Sequence, residues 1–226
     1  MLLATVTACS ERAYGPNFQH NPQFEEAGDW QISGSYGRAP QARSIDLSVA
    51  HAVDANFGVM LNAQYAYDDI TLPDRQGYYL EPAVGLYRGN HKLFNYSLYA
   101  TYGIGRQTIE ITGKDIFEMY WRRYALQPAV QFDLDGFYLG FSARIGMISF
   151  DPGFSNYLRE AYLGPNQMPF RIASEFLLFE PAVTLSYPWY IFLISFQYIH
   201  QFPYYQHGAF ARNYVGGSIA LRIPTK

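Results

Sequence analysis

The side chains able to do chemistry are few in this chain, and they are scattered. The five histidines, His20, His51, His91, His200 and His207, show no metal-ligand spacing, and the single cysteine, Cys9, leaves no thiolate cluster and no internal disulfide. A hydrolase would set a serine or aspartate beside a histidine. His200 and His207 stand near one connection, but Ser195 falls well down the preceding segment. No glycine-rich phosphate loop or carboxylate pair stands out. These residues imply no metal, no cofactor and no catalytic constellation, so the reading is non-enzymatic. What remains is an ionisable set, Asp46, Glu81, Arg123, Arg144 and Glu180, joined by Gln127, all on the polar face of their segments. Opposite charges inside a narrow fold must pair, because breaking a buried ion pair costs about 3–5 kcal/mol. Such a set is either a structural polar plug or the lining of a narrow selective path, and the plug is the simpler reading.

The elements that must position this set are strands. Only 15% of the 226 residues are charged, whereas 18% are aromatic, with 21 Tyr and 17 Phe. Soluble domains carry about 25% charge. The mean hydropathy of −0.14 is far too polar for a bundle of membrane helices. Low charge with abundant tyrosine fits a membrane barrel, where apolar and polar residues alternate and their averages cancel. The net charge of −3, with no cluster of Lys or Arg, argues against nucleic acid as a partner.

From Gly28 onward the hydrophobic period is two. Ile45, Leu47 and Val49 alternate with Asp46, Ser48 and Ala50. Phe94, Tyr96, Leu98, Ala100 and Tyr102 alternate with Asn95, Ser97, Tyr99, Thr101 and Gly103. The same pattern recurs at about 119–132, 137–149, 175–187, 191–201 and 212–223. The expectation is an all-β, antiparallel up-and-down transmembrane β-barrel of about ten strands, most about 9–13 residues long, the length a tilted strand needs to cross a bilayer. Eight strands remain open if two terminal segments lie outside the wall. Asp54-Ala55-Asn56, Arg88 to Lys92, Asp133 to Gly136 and Pro188-Trp189-Tyr190 form short turns. The connections at about 68–77, 106–118, 150–174 and 202–211 are longer. Outer-membrane barrels alternate short periplasmic turns with long outer loops in this way. The bulky face, carrying Phe141, Leu185 and Phe196, should meet lipid. Tyr65, Tyr67, Tyr78, Tyr102, Tyr120, Trp121, Tyr187, Trp189 and Tyr190 would form the interfacial girdles. The stretch 181–211 lacks charge, but prolines and glutamines interrupt it well short of a membrane helix.

Three strands repeat one motif: Glu81-Pro82-Ala83-Val84, Gln127-Pro128-Ala129-Val130 and Glu180-Pro181-Ala182-Val183. Proline donates no ladder hydrogen bond, so the repeat reads as a kink or bulge that bends the wall. In the longest connection, Tyr157, Arg159 and Tyr162 are candidates for contact with a partner or a glycan of unknown identity.

The amino terminus divides into a signal segment, 1–9, a leader, 10–27, and the barrel domain, 28–226. Val6-Thr7-Ala8-Cys9-Ser10 resembles the bacterial lipobox, which implies a diacylated Cys9 and a membrane-lipid partner. The leader, with Pro16 and Pro22, is expected to lie extended in the periplasm. An even strand number would place both termini with the short turns, on the periplasmic side of an outer membrane. Tyr14-Gly15-Pro16-Asn17, Asn21-Pro22-Gln23-Phe24 and Glu26-Ala27-Gly28-Asp29, with Ala50-His51-Ala52-Val53-Asp54-Ala55-Asn56-Phe57-Gly58-Val59-Met60, resemble a family of Bacteroidetes outer-membrane barrel lipoproteins. The resemblance is clear over about 9–67 and architectural beyond. It implies the fold and the location, and it implies no substrate; the barrel-assembly machinery is the partner expected for a barrel in that membrane. The end, Arg222-Ile223-Pro224-Thr225-Lys226, departs from the terminal aromatic common in such barrels. The function expected is a structural or surface-interaction role with a plugged lumen, the alternative being a narrow small-solute channel or transporter.

Overall fold

A computed structural model describes residues 16–39, 42–68, 75–88, 94–111, 115–151, 175–203 and 213–225. The strands are β1 (Trp30–Ala39), β2 (Ala42–Asp54), β3 (Phe57–Asp68), β4 (Arg75–Arg88), β5 (Phe94–Ile111), β6 (Asp115–Asp133), β7 (Tyr138–Phe150), β8 (Glu175–Trp189), β9 (Phe192–His200), β10 (Phe202–Pro203) and β11 (Asn213–Ile223). Every neighbour is antiparallel. β1 pairs with both β2 and β11, and β8 pairs with both β7 and β9, so the sheet closes on itself. β10 keeps the register of β9 against β8 (Ala182 opposite Ile199, Phe179 opposite Phe202) and is the same strand resumed after Gln201. The wall is therefore a closed barrel of 10 strands. No helix occurs among the described residues.

The two faces sort as the alternation requires. Phe141, Leu185 and Phe196 point outward with 43%, 49% and 56% of their surface exposed, whereas Ser33, Ser48, Asn62, Ser142 and Ser186 are buried. One girdle assignment fails. Trp121 faces inward and stacks on Tyr79 with centroids 4.7 Å apart. Its odd position on β6, whose outward residues Tyr124, Leu126 and Phe132 are even, already dictated that direction. The stretch 106–118, expected as a connection, belongs largely to strands. β5 and β6 pair as far as Ile111 and Asp115.

The short turns follow local backbone chemistry. Asp135 and Gly136 both take positive φ (55° and 106°) in the β6–β7 connection. That is the Asp-Gly pattern of a tight hairpin whose twist matches its strands. The repeated proline motif does not insert a residue. Pairing between β4 and β5 lapses between Leu80 and Ala83, and that between β6 and β7 lapses between Leu126 and Ala129. The β8–β9 pairing lapses between Phe179 and Ala182. In each case the register resumes unchanged, so the device is a gap in the ladder on one side of the strand rather than the expected bulge. A shift of register does occur elsewhere, at Ala52/Asp54 between β2 and β3.

Ile145 lies at mid-wall, opposite Leu126 and Phe179, on the outer face. Replacing it with Arg is expected to cost about 2–4 kcal/mol in urea unfolding from lipid vesicles, against about 0–1 kcal/mol for Tyr190→Arg in the β8–β9 turn. Equal costs at the two sites would contradict the lipid-facing assignment.

Candidate functional site

The repeat that opens the ladder also aims a polar side chain into the lumen. Glu81, Gln127 and Glu180 each precede their proline, and all three are buried. Arg123 on β6 and Arg144 on β7 reach the same level and are also fully buried. Arg123 Nη2 lies 2.6 Å from Glu81 Oε2, and Arg144 Nη1 lies 3.0 Å from Glu180 Oε2. Cross-contacts of 4.0 Å (Arg123–Glu180) and 3.9 Å (Arg144–Glu81) tie the pairs into one cluster of balanced charge. Arg144 Nη2 also donates to Gln127 Oε1 at 3.2 Å, Tyr79 donates its hydroxyl to Glu81, and the Arg123 guanidinium lies over the Tyr79 ring at 4.6 Å. Pairing is what allows these groups inside a wall at all, because an isolated buried charge is far costlier than a paired one.

The leader completes this layer. Residues 16–24, expected to lie extended in the periplasm, run extended through the lumen instead. Asn17 Oδ1 accepts from both Arg123 Nη2 (3.0 Å) and Arg144 Nη1 (2.8 Å). Gln19 N–H donates to Gln197 Oε1 at 2.8 Å, and Gln197 Nε2 donates back to Gln19 O at 3.0 Å. A carboxamide thus replaces the neighbouring strand that a buried backbone demands. Gln19 Nε2 donates to Glu180 O (2.6 Å), and Ser142 Oγ donates to Gln19 Oε1 (2.9 Å). Phe18 packs with Ala182, Ile199 and Tyr214, and Phe24 packs with Met60, Tyr87 and Tyr99, so an apolar anchor sits at each end of the polar stretch. Sequence reasoning missed these roles because the leader has no period. The signal lay in two phenylalanines bracketing short polar residues.

On the long-connection side of the charges, buried Met119, Trp121, Ile148, Phe150, Phe176 and Leu178 fill the space beside β4–β8. Trp121 lies over Gly105, where any side chain would overlap its ring. On the short-turn side a polar cavity remains between leader and wall, bordered by Ser33, Gln131, Thr184, Ser186, Ser195 and Ser218.

Of the expected residues, Glu81, Arg123, Gln127, Arg144 and Glu180 meet. Asp46 is buried apart from them, accepting from Ser44 Oγ and from Tyr214 Oη, each at 3.1 Å. Cys9, Tyr157, Arg159, Tyr162, His91 and His207 lie outside the described residues. Ser195 bonds Ser186 at 2.8 Å, and His200 bonds Asn213, so no nucleophile–base pair forms there. His20 and Ser33 do touch (2.9 Å), but His20 Nε2 finds no carboxylate to orient it. No group of metal-binding residues occurs among the described residues.

No protein-family model matches the chain, and no curated protein matches it. Solved structures do. The translocator domain of the autotransporter NalP from Neisseria meningitidis is similar at 9% identity and a TM-score of 0.51, over 88% of this chain and 89% of that one. Ail, the attachment invasion locus protein of Yersinia pestis, aligns at 9% identity and a TM-score of 0.40, over 87% of this chain and 99% of its own. The NanC porin aligns at 12% identity and a TM-score of 0.42, over 86% and 99%. At such identities the likeness to NalP speaks for the barrel fold alone.

Replacing Arg144 with Met leaves Glu81 and Glu180 facing one guanidinium. The expected loss is about 3–5 kcal/mol of stability in urea unfolding. The double variant Arg144→Met with Glu180→Gln should lose less than the single one. A single variant within about 0.5 kcal/mol of the parent, the ordinary range for surface changes, would show that the cluster does not hold the fold.

Proposed function

We propose that this protein is a non-conducting β-barrel of a bacterial outer membrane, with a structural or surface-interaction role and no enzymatic one. The observation that carries this reading is the closed mid-height layer. Arg123, Arg144, Glu81 and Glu180 neutralise one another across the lumen, Asn17 of the leader bridges the two arginines, and all five side chains are buried. A passing ion would have to break charge-assisted hydrogen bonds on both arginines and then cross the apolar packing around Trp121 and Ile148. The apolar exterior supports a bilayer setting, in which membrane lipid is the first partner and the barrel-assembly machinery inserts the chain. The alternation of connection lengths supports short turns on the periplasmic side. Membership of the Bacteroidetes barrel-lipoprotein family and acylation at Cys9 belong to the same proposal, supported by the residues quoted for them. Contact of the longest connection with a surface ligand, through Tyr157, Arg159 and Tyr162, belongs to it too.

One observation favours the second reading, a narrow channel for small solutes. The polar cavity on the short-turn side offers hydroxyl and carboxamide groups of the kind that line a water-filled path. Purified protein in planar bilayers separates the two. The parent chain is expected to be silent, and Arg144→Met, if folded, should show intermittent openings. Reproducible unitary currents from the parent chain would establish the channel reading instead.

A further inference from the structure

The leader has a direction, and two strands record it independently. Along β6, Gln23 Nε2 donates to Gln131 at 2.7 Å, and His20 O and Asn21 Oδ1 accept from Gln127 Nε2 at 2.9 and 3.0 Å. Asn17 then accepts from Arg123. β6 ends at the short turn after Asp133 and begins at Asp115, so these contacts climb away from the short turns. Along β1, Gln23 N–H donates to Gln31 Oε1 at 2.9 Å and His20 Nδ1 meets Ser33 Oγ at 2.9 Å. The ring of Phe18 lies beside Gly216, the partner of Gly37 near the far end of β1. β1 starts at Trp30 on the short-turn side, so the climb has the same sense.

The contacts along β6 match the reach of an extended chain. From Gln23 to Asn17 is six residues, which cover about 20 Å at roughly 3.3 Å each. The matching span on β6, Gln131 to Arg123, is eight residues of a strand. In a barrel tilted by about 40° it rises by the same about 20 Å. The contacts follow chain order on both strands, so the described leader makes no reversal. Both faces of Gln19 are already taken, by Gln197 on its backbone and by Ser142 and the Glu180 carbonyl on its side chain.

We propose that the chain threads its own barrel. The described leader climbs from the short turns into the charge layer and leaves it at Pro16 heading toward the long connections, away from the short turns and Thr225. An even strand number fixes where β1 begins and β11 ends, but it does not fix the amino terminus, because the leader turns back into the lumen at Gly28-Asp29. The fork that Arg123 and Arg144 make on Asn17 is the clamp that holds this crossing. An acyl anchor on Cys9 would then enter the leaflet on the long-connection side. The inference goes beyond the non-conducting reading and does not depend on it, since threading is compatible with a silent barrel and with a leaky one.

The test uses the full chain carrying one short epitope at a time: between Ala13 and Tyr14, within 152–174, or after Lys226. Antibody access is read on intact cells and on permeabilised ones. Folding of each chain is checked by heat-modifiable gel mobility. The epitope ahead of Tyr14 is expected to follow the one in 152–174, and both should be opposite to the one after Lys226. If it follows the carboxyl-terminal epitope, the threading is wrong. Where the tagged leader prevents folding, Tyr14→Cys in a Cys9→Ser background takes its place. It is labelled by a membrane-impermeant maleimide and compared with Tyr157→Cys and Thr225→Cys. Co-labelling with Tyr157→Cys supports the proposal, and co-labelling with Thr225→Cys overturns it. Conductance plays no part in either readout, so failure here is distinct from failure of the proposed function.

Discussion

Arg123 and Arg144 place two guanidinium charges in the middle of a wall whose outside is hydrocarbon-like. Everything around them answers that constraint. Glu81 and Glu180 bring equal and opposite charge, Gln127 and Asn17 take up further donors, and the Tyr79 ring covers one guanidinium face. The strands that supply these groups, β4, β6, β7 and β8, are held at one height by their register. A slip of one residue would turn each side chain to the lipid. The charge layer and the barrel register therefore depend on each other.

The proline repeat shows how local chemistry serves that layer. In each copy the residue before proline faces inward and the ladder opens on the side toward the next strand, while the register holds. The motif looked like a device for bending the wall. Its clearer role is positional, since it presents Glu, Gln and Glu at one level of the lumen.

Much of this was legible in the sequence because a strand's side-chain period is two, and apolar alternation then reports direction without knowledge of contacts. Ile45 against Asp46 and Leu126 against Gln127 were assigned by parity alone, and parity also predicted that the ionisable residues would share the interior. The same logic, applied strictly, would have turned Trp121 inward. Tryptophan's preference for interfaces points the other way, and strand position wins. The leader was illegible for a different reason. Its backbone is paired by side chains and not by a neighbouring strand: Gln197, 178 residues from Gln19, and Gln31, across the turn at Gly28 from Gln23. Such pairing leaves no repeat in the local sequence. Arg123 is a milder case. It stands four residues from Gln127 along β6, and its long side chain makes up the difference.

Native-state hydrogen exchange tests directly whether the leader packs as firmly as a strand within a filled lumen. The amide of Gln19, bonded to Gln197 at 2.8 Å, and that of Gln23, bonded to Gln31 at 2.9 Å, should exchange as slowly as the ladder amides of β1 and β9 beside them. Exchange of those two amides at the rate of an unstructured peptide, with the strands still protected, would contradict that packing.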